Sequence, residues 1–316
     1  MPFSETEREL YIEDVVQTGG RTFAHIGGDF VLIEDSPIKC DYLKMYCWED
    51  AWVNLYKRKN AFHYFTEERP VIDRAKCVTF GASEMIMDAL NEKIIEATVL
   101  VCDGSGTVIT DRGEVAQGIG GRMSGLPFTT PRRKVIRKLE REHATVVYPK
   151  RAKIDVVGGC REALKRYGRV AVTVAGQDRD ILKRVKEINR AKVITLVVHT
   201  TGVTEEDAEY FTKYGDLVWG CASRHVRLIG SQALLQLGVA IPVFAFTAAG
   251  VKLATSRVKN ISTHVGRHLE AAKSKILKGQ QHVIFFKKSP KTGRRHLTLE
   301  KAILPALTET GPRPLI

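Results

Sequence analysis

No apolar run in this sequence approaches the roughly 18 residues needed to span a bilayer. The first residues lack the basic, apolar and small-residue order of a signal peptide. Pro-rich and Ser-rich linkers are missing, which argues against a string of loosely tethered modules. The six cysteines, Cys40, Cys47, Cys77, Cys102, Cys160 and Cys221, are scattered and form no C-x-x-C. That spacing excludes a disulfide scaffold and places the chain, as an expectation, in a reducing cytoplasm. A nucleophile elbow, a kinase signature and a His-Glu-x-x-His helix are also absent.

What is present is globular. The 316 residues are 44% hydrophobic and 27% charged, enough for a large core in one or two domains. The net charge of +13 is concentrated: residues 252–295 hold twelve Lys/Arg and a single acid, Glu270. The basicity therefore belongs to the C-terminal segment and suggests a polyanionic partner. Only Phe285 and Phe286 offer stacking surfaces there, so an acidic protein surface ranks above nucleic acid.

Along the chain, residues 1–20 read as polar with a short helix, and residues 21–34 as a hairpin around Gly27-Gly28. Trp48, Trp52 and Tyr56 recur every four residues, the packing face of a short helix from Trp48 to Lys57. From Ser83, the expected N-cap of a helix running to about Ile95, the pattern alternates. Short apolar runs at 97–102, 144–148, 169–175, 193–199, 216–221 and 241–246 alternate with stretches of helical period. This βα rhythm predicts an α/β fold: a mostly parallel sheet with helices on both faces. A small N-terminal β-containing subdomain (1–76) precedes the core domain (77–250). A basic C-terminal helix and hairpin form an appendage (251–316).

The stretch 97–131 holds the densest glycines. After the run Ala97 to Cys102 come Asp103, Gly104, Ser105, Gly106 and Thr107, then Gly118, Gly120, Gly121, Arg122, Ser124 and Gly125. Backbone N–H groups free of Cβ atoms suit an anion. Met123 stands where a dinucleotide fingerprint needs its third glycine, and Leu126-Pro127 replaces the Lys-Ser/Thr of a Walker loop. Thr130 is the expected N-cap of a helix that begins at Pro131 and carries Arg132, Arg133 and Lys134 in its first turn. Cations there oppose the helix dipole, which again points to an anion.

In parallel sheets, ligands gather at the carboxyl ends of strands. Five expected strand ends are small and polar: Asp103-Gly104-Ser105, Gly176-Gln177-Asp178, His199-Thr200-Thr201-Gly202, Cys221-Ala222-Ser223-Arg224 and Thr247-Ala248. Asp103 and His199 are the candidate catalytic acid–base residues. Gly104, Ser105, Gly106, Thr107, Gly118, Gly120, Gly121, Arg122, Ser124, Gly125, Thr130, Thr200, Thr201, Ser223 and Arg224 are the candidate ligand-binding set, with Arg122 and Arg224 as anion clamps. Cys40, Cys47, Cys102 and Cys221 are weak metal candidates.

Five motifs occur in one order: Val101 to Val108, Gln117 to Gly125, Val198 to Gly202, Gly220 to Arg224 and Ile241 to Ala245. Together they resemble the archaeal family called methanogenesis marker protein 8, over about residues 20–250. The resemblance implies the cytoplasm of a methane-metabolising archaeon and service to methyl-coenzyme M reductase, its nickel tetrapyrrole or its coenzymes. It carries over no catalytic residue. The reading that follows is an accessory or maturation factor binding an anionic ligand that bears phosphate, sulfonate or carboxylate. The alternatives are a cytoplasmic transferase or hydrolase acting on an anionic coenzyme precursor, and a nucleic-acid-binding protein.

Overall fold

A computed structural model describes residues 11–18, 21–35, 48–123, 125–290 and 292–306. The chain opens with strands β1 (Ile12–Thr18), β2 (Arg21–Ile26) and β3 (Asp29–Asp35), followed by helix α1 (Trp48–Phe62). The β2–β3 hairpin turns on Gly27 and Gly28, both left-handed. Ile12–Thr18 is a strand and not part of a helix. Asp14 and Val16 alternate inward against more open neighbours, the period of a paired strand.

Next come α2 (Ala82–Asn91), β4 (Ala97–Cys102), β5 (Gly106–Thr110), α3 (Gly113–Gly120), β6 (Gly125–Thr129), α4 (Arg133–Arg141) and β7 (Thr145–Val146). The rhythm then becomes regular: α5 (Val156–Ala163), β8 (Val170–Ala175), α6 (Arg179–Ile188), β9 (Val193–Val198), α7 (Glu205–Tyr214), β10 (Leu217–Trp219) and α8 (Arg224–Ile229). The chain finishes with β11 (Leu235–Leu237), β12 (Val243–Ala245), α9 (Ala248–Ile261), α10 (Thr263–Leu277), β13 (His282–Lys288) and β14 (Arg295–Lys301).

Ten strands form one sheet in the order β14-β13-β11-β12-β10-β9-β8-β4-β5-β7. β4, β8, β9 and β10 are mutually parallel, and antiparallel strands flank them on both sides. Helices cover both faces. Met85 and Ile86 of α2, Ile119 of α3, Leu139 of α4, Leu253 of α9 and Leu269 of α10 pack on one. Cys160 of α5, Leu182 of α6, Phe211 of α7 and Val226 of α8 pack on the other. Burial on both faces is why β9 reads as a run, Val-Ile-Thr-Leu-Val-Val, that is apolar except for Thr195, whose buried hydroxyl donates to the Tyr214 carbonyl at 2.6 Å.

A second sheet has the order β3-β2-β1-β6. Its fourth strand comes from the glycine-rich stretch, so the N-terminal subdomain borrows residues from the middle of the chain. With α1 it encloses a small core of Val16, Phe23, Phe30, Leu55 and Phe65. The C-terminal helices and hairpin are present as expected. The hairpin extends the main sheet, β13 lying parallel to β11, and does not stand apart.

Two helix starts differ from expectation. The helix expected from Pro131 begins at Arg133, with Arg132 in the cap position. Thr130 instead donates its N–H to the Glu13 carbonyl, continuing the β6 to β1 pairing, and the Arg132 N–H goes to the Gly104 carbonyl. At α2 the cap is Gly81 and not Ser83, whose hydroxyl donates to Glu84.

Candidate functional site at the carboxyl edge

Because β4, β8, β9 and β10 are parallel, Asp103, Gly176 to Asp178, His199 and Cys221 all follow strand ends on one edge. Thr247 does not join them. β12 runs against β10, so Thr247 lies at the opposite edge, where its hydroxyl donates to Asp216 Oδ1 at 2.6 Å. Asp216 there forms a buried ion pair with Lys186.

The end of β4 is closed by the small sheet and by the loop after α1. Asp103 is wholly buried, its Oδ1 2.6 Å from Arg69 Nε. Its Oδ2 accepts the Phe65 N–H at 2.7 Å. Arg69 also donates to the Gly118 carbonyl at 2.9 Å and the Ile119 carbonyl at 3.0 Å, satisfying the last turn of α3 with a cation where the helix dipole favours one. Asp103 is thus a structural anchor without access to substrate, and its assignment as an acid–base residue is corrected.

Beside it lies a second buried network. Asp14 accepts from His25 Nδ1 at 2.9 Å, Thr129 Oγ1 at 2.6 Å and both terminal nitrogens of Arg132 at 2.9 and 2.5 Å. Burial disfavours its charge, but the hydrogen bonds from His25 and Arg132 and the Arg132 charge prevail and lower its pKa. Glu13, Asp14 and His25 offer atoms within 4.8 Å of one another, the one such group of potential metal ligands among the described residues. Arg132 already bridges both oxygens of Asp14, so a cation would have to displace a guanidinium. The cluster reads as an ion-pair network that pins the small sheet to the loop after β4.

The glycine-rich stretch is not one anion loop. Gly118 and Gly120 lie inside α3, and Gly121 follows its last turn. A Cβ on Gly118 would lie 2.3 Å from the Val71 carbonyl oxygen, so glycine here lets the helix approach the chain closely. Gly106, at φ +69°, would put a Cβ 2.2 Å from the Ala152 carbonyl oxygen. Gly125 belongs to β6. Gly104 donates its N–H to Thr129 Oγ1 at 2.7 Å. Thr107 is buried, its hydroxyl donating to the Lys153 carbonyl at 3.1 Å and accepting the Asp155 N–H at 2.7 Å. Ser105 is buried too. Arg122 pairs with Asp73 at 2.8 Å and lies over the Phe62 ring, so it already holds a carboxylate of its own chain. Ser124 lies outside the described residues.

Among the described residues, no cysteine belongs to a group of potential metal ligands. Cys102 is buried, and burial pushes its thiol up to about 11 despite the nearby Arg69 charge. Cys221 is half-buried, Cys77 is exposed, and all three are free thiols. Cys40 and Cys47 lie outside the described residues.

What stays open is the edge at β9 and β10. His199 and Cys221 follow these neighbouring strands, and both are left-handed, at φ +54° and +38°. Non-glycine residues in this region are strained and concentrate at functional sites. His199 is half-buried; desolvation, with the charge of Arg58 adding to it, pulls its imidazole down to about 4. It is therefore a neutral hydrogen-bonding group near pH 7. Arg58 of α1 carries no sequence signal beyond its place on an amphipathic helix, and it was missed. The Thr200 hydroxyl donates to the Trp219 carbonyl at 2.5 Å, and Thr201 Oγ1 accepts the Ala222 N–H at 3.4 Å. These bonds tie the two strand ends together. Ser223 caps α8 through the Val226 N–H, and Arg224 is exposed at that helix start. Arg227, also missed, is buried and donates to the Cys221 carbonyl at 2.7 Å.

A cleft of about 380 Å³ flanks this edge, lined among others by Gln177, Asp178, Asp180, Glu206 and Asp207. Its carboxylates make it unsuited to an anion, and its one arginine, Arg179, pairs with Glu206 at 2.8 Å. Among the described residues no helix is long and apolar enough to cross a membrane.

Comparison with known proteins identifies the family. The sequence model of a family described as an uncharacterized protein conserved in archaea (DUF2099) matches residues 36–259. An uncharacterized protein of Methanocaldococcus jannaschii is 36% identical over 210 residues, which is 66% of this chain and 74% of that protein. No solved structure matches.

Proposed function

The chain belongs to this archaeal family, and from that premise we propose that it is an accessory or maturation factor for methyl-coenzyme M reductase or its cofactors. On this reading it binds an anionic ligand at the carboxyl ends of β9 and β10. The observation that carries the proposal is the pair of left-handed residues, His199 and Cys221, at adjacent parallel strand ends, with the charge of Arg58 acting on His199. The two motifs that hold them, Val198 to Gly202 and Gly220 to Arg224, are among those on which the methanogenesis resemblance rests. Arg58 and Arg224 supply positive charge, and neutral His199 supplies a hydrogen bond. The exposed lysines Lys275 and Lys278 at the end of α10 would meet an acidic face of the partner.

The test is affinity capture of the tagged protein from a methane-forming archaeon, with mass spectrometry of retained proteins and small molecules. Reductase subunits, together with an anionic compound lost in Arg58→Ala, support the proposal. A preparation that retains no subunit but converts a phosphorylated compound by itself overturns it in favour of an enzyme.

A further inference from the structure

On the face of α2, α9 and α10, a second cleft of about 280 Å³ opens near the start of β4. Its lining brings together Lys93, just after α2, with Lys252 and Lys259 of α9 and Lys273 of α10. Two acids share the cleft and both are engaged. Glu270 accepts from Lys273 at 3.1 Å and lies 3.6 Å from Lys259. Glu92 accepts from Asn260 Nδ2 at 2.7 Å. Lys93 and Lys252 have no carboxylate partner among the described residues and are exposed. Gathering four cations from three elements costs repulsion that an anion would relieve.

A second observation points the same way. Ser256 also lines the cleft, is 1% exposed, and its hydroxyl has no hydrogen-bond partner among the described residues. A buried hydroxyl without a partner is unfavourable, and nearby Thr255 does not share the problem, since its hydroxyl donates to the Val251 carbonyl at 2.7 Å. The volume equals that of roughly nine waters, at about 30 Å³ each. That admits a small molecule.

We propose that this cleft binds a small multivalent anion bearing phosphate groups, with Lys93 and Lys252 as its principal contacts and with the buried Ser256 hydroxyl turning toward it as a donor. The site is separate from the edge at β9 and β10 and does not depend on the function proposed there.

Titration calorimetry with sodium diphosphate, at ionic strength held constant with chloride, tests it on the full chain. The wild type should show one saturable site. Lys93→Gln with Lys252→Gln should weaken it by about a hundredfold, at roughly tenfold for each charge-assisted contact. Ser256→Ala should weaken it less. Lys150→Gln with Lys192→Gln, equally exposed and outside the cleft, should change it by less than about twofold. Absence of saturable binding in the wild type overturns the proposal. So does equal loss in the two double variants, because affinity would then follow net charge and not the cleft. Denaturant midpoints of the variants, expected to match the wild type, separate a lost site from a lost fold.

Discussion

Arg69 and Asp103 form an ion pair from which water is wholly excluded, Nε to Oδ1 at 2.6 Å, with both side chains at 0% exposure. The pair joins three parts of the molecule: the loop after α1, the end of β4 and, through the other guanidinium nitrogens, the C-terminus of α3. Burial opposes the charge of Arg69, yet Asp103 more than offsets this and raises its pKa further.

Removing one partner of such a pair strands the other. Arg69→Met should therefore cost about 3–5 kcal/mol of stability, read as a shift in the urea midpoint. Arg69→Met with Asp103→Leu should recover part of the loss, because no lone buried charge remains. An unchanged midpoint for the single variant would contradict the anchoring role.

Asp14 sets an acid limit. Its pKa is lowered in the fold, so its stabilising contribution is complete above the unfolded value near 3.8. That contribution disappears as pH falls through the lower folded value. The difference in urea midpoint between wild type and Asp14→Asn should be constant at neutral pH and shrink below about pH 4.

His199 has the opposite charge type and the same pH direction. With the folded imidazole at about 4 and the ordinary value at 6.5, the unfolded chain takes up the proton first on acidification. Stability should thus decline from pH 6.5 towards 4, and this component should vanish in His199→Gln. The ring resonances of His199 should show no titration between about pH 5.5 and 8. His199→Gly should leave stability near wild type, since relief of the left-handed strain, about 1–2 kcal/mol, offsets lost contacts, while ligand retention at this edge falls.

Gly106→Ala should unfold or severely destabilise the protein, by more than about 3 kcal/mol. It combines a positive φ with a Cβ 2.2 Å from the Ala152 carbonyl oxygen, a backbone atom with no rotamer to move. Soluble expression and thermal melting would show it. An anion-cradle glycine would instead lose only ligand.

The order of elements was legible because burial leaves a period along each segment. Val193 to Val198 is apolar at every position but Thr195, as suits a strand covered on both faces, and Thr204 followed by Glu205, Glu206 and Asp207 announces a capped helix. The Gly27-Gly28 turn was equally local. At the candidate site the sequence singled out His199, Cys221 and Arg224, since strand ends can be read from the same period.

What only the tertiary structure decided is how those segments meet. β12 and β10 look alike as short apolar runs, yet their opposed directions send Thr247 to the far edge from Cys221. Asp14 and Arg132 are 118 residues apart, so no local pattern announces that the cationic start of α4 serves a carboxylate of the protein itself. A glycine that admits a neighbouring backbone and one that admits a ligand look the same in sequence, because what glycine provides in both is the missing Cβ. The element that fills the space, Val71 against Gly118 or Ala152 against Gly106, is set by packing between distant segments and by nothing within the stretch.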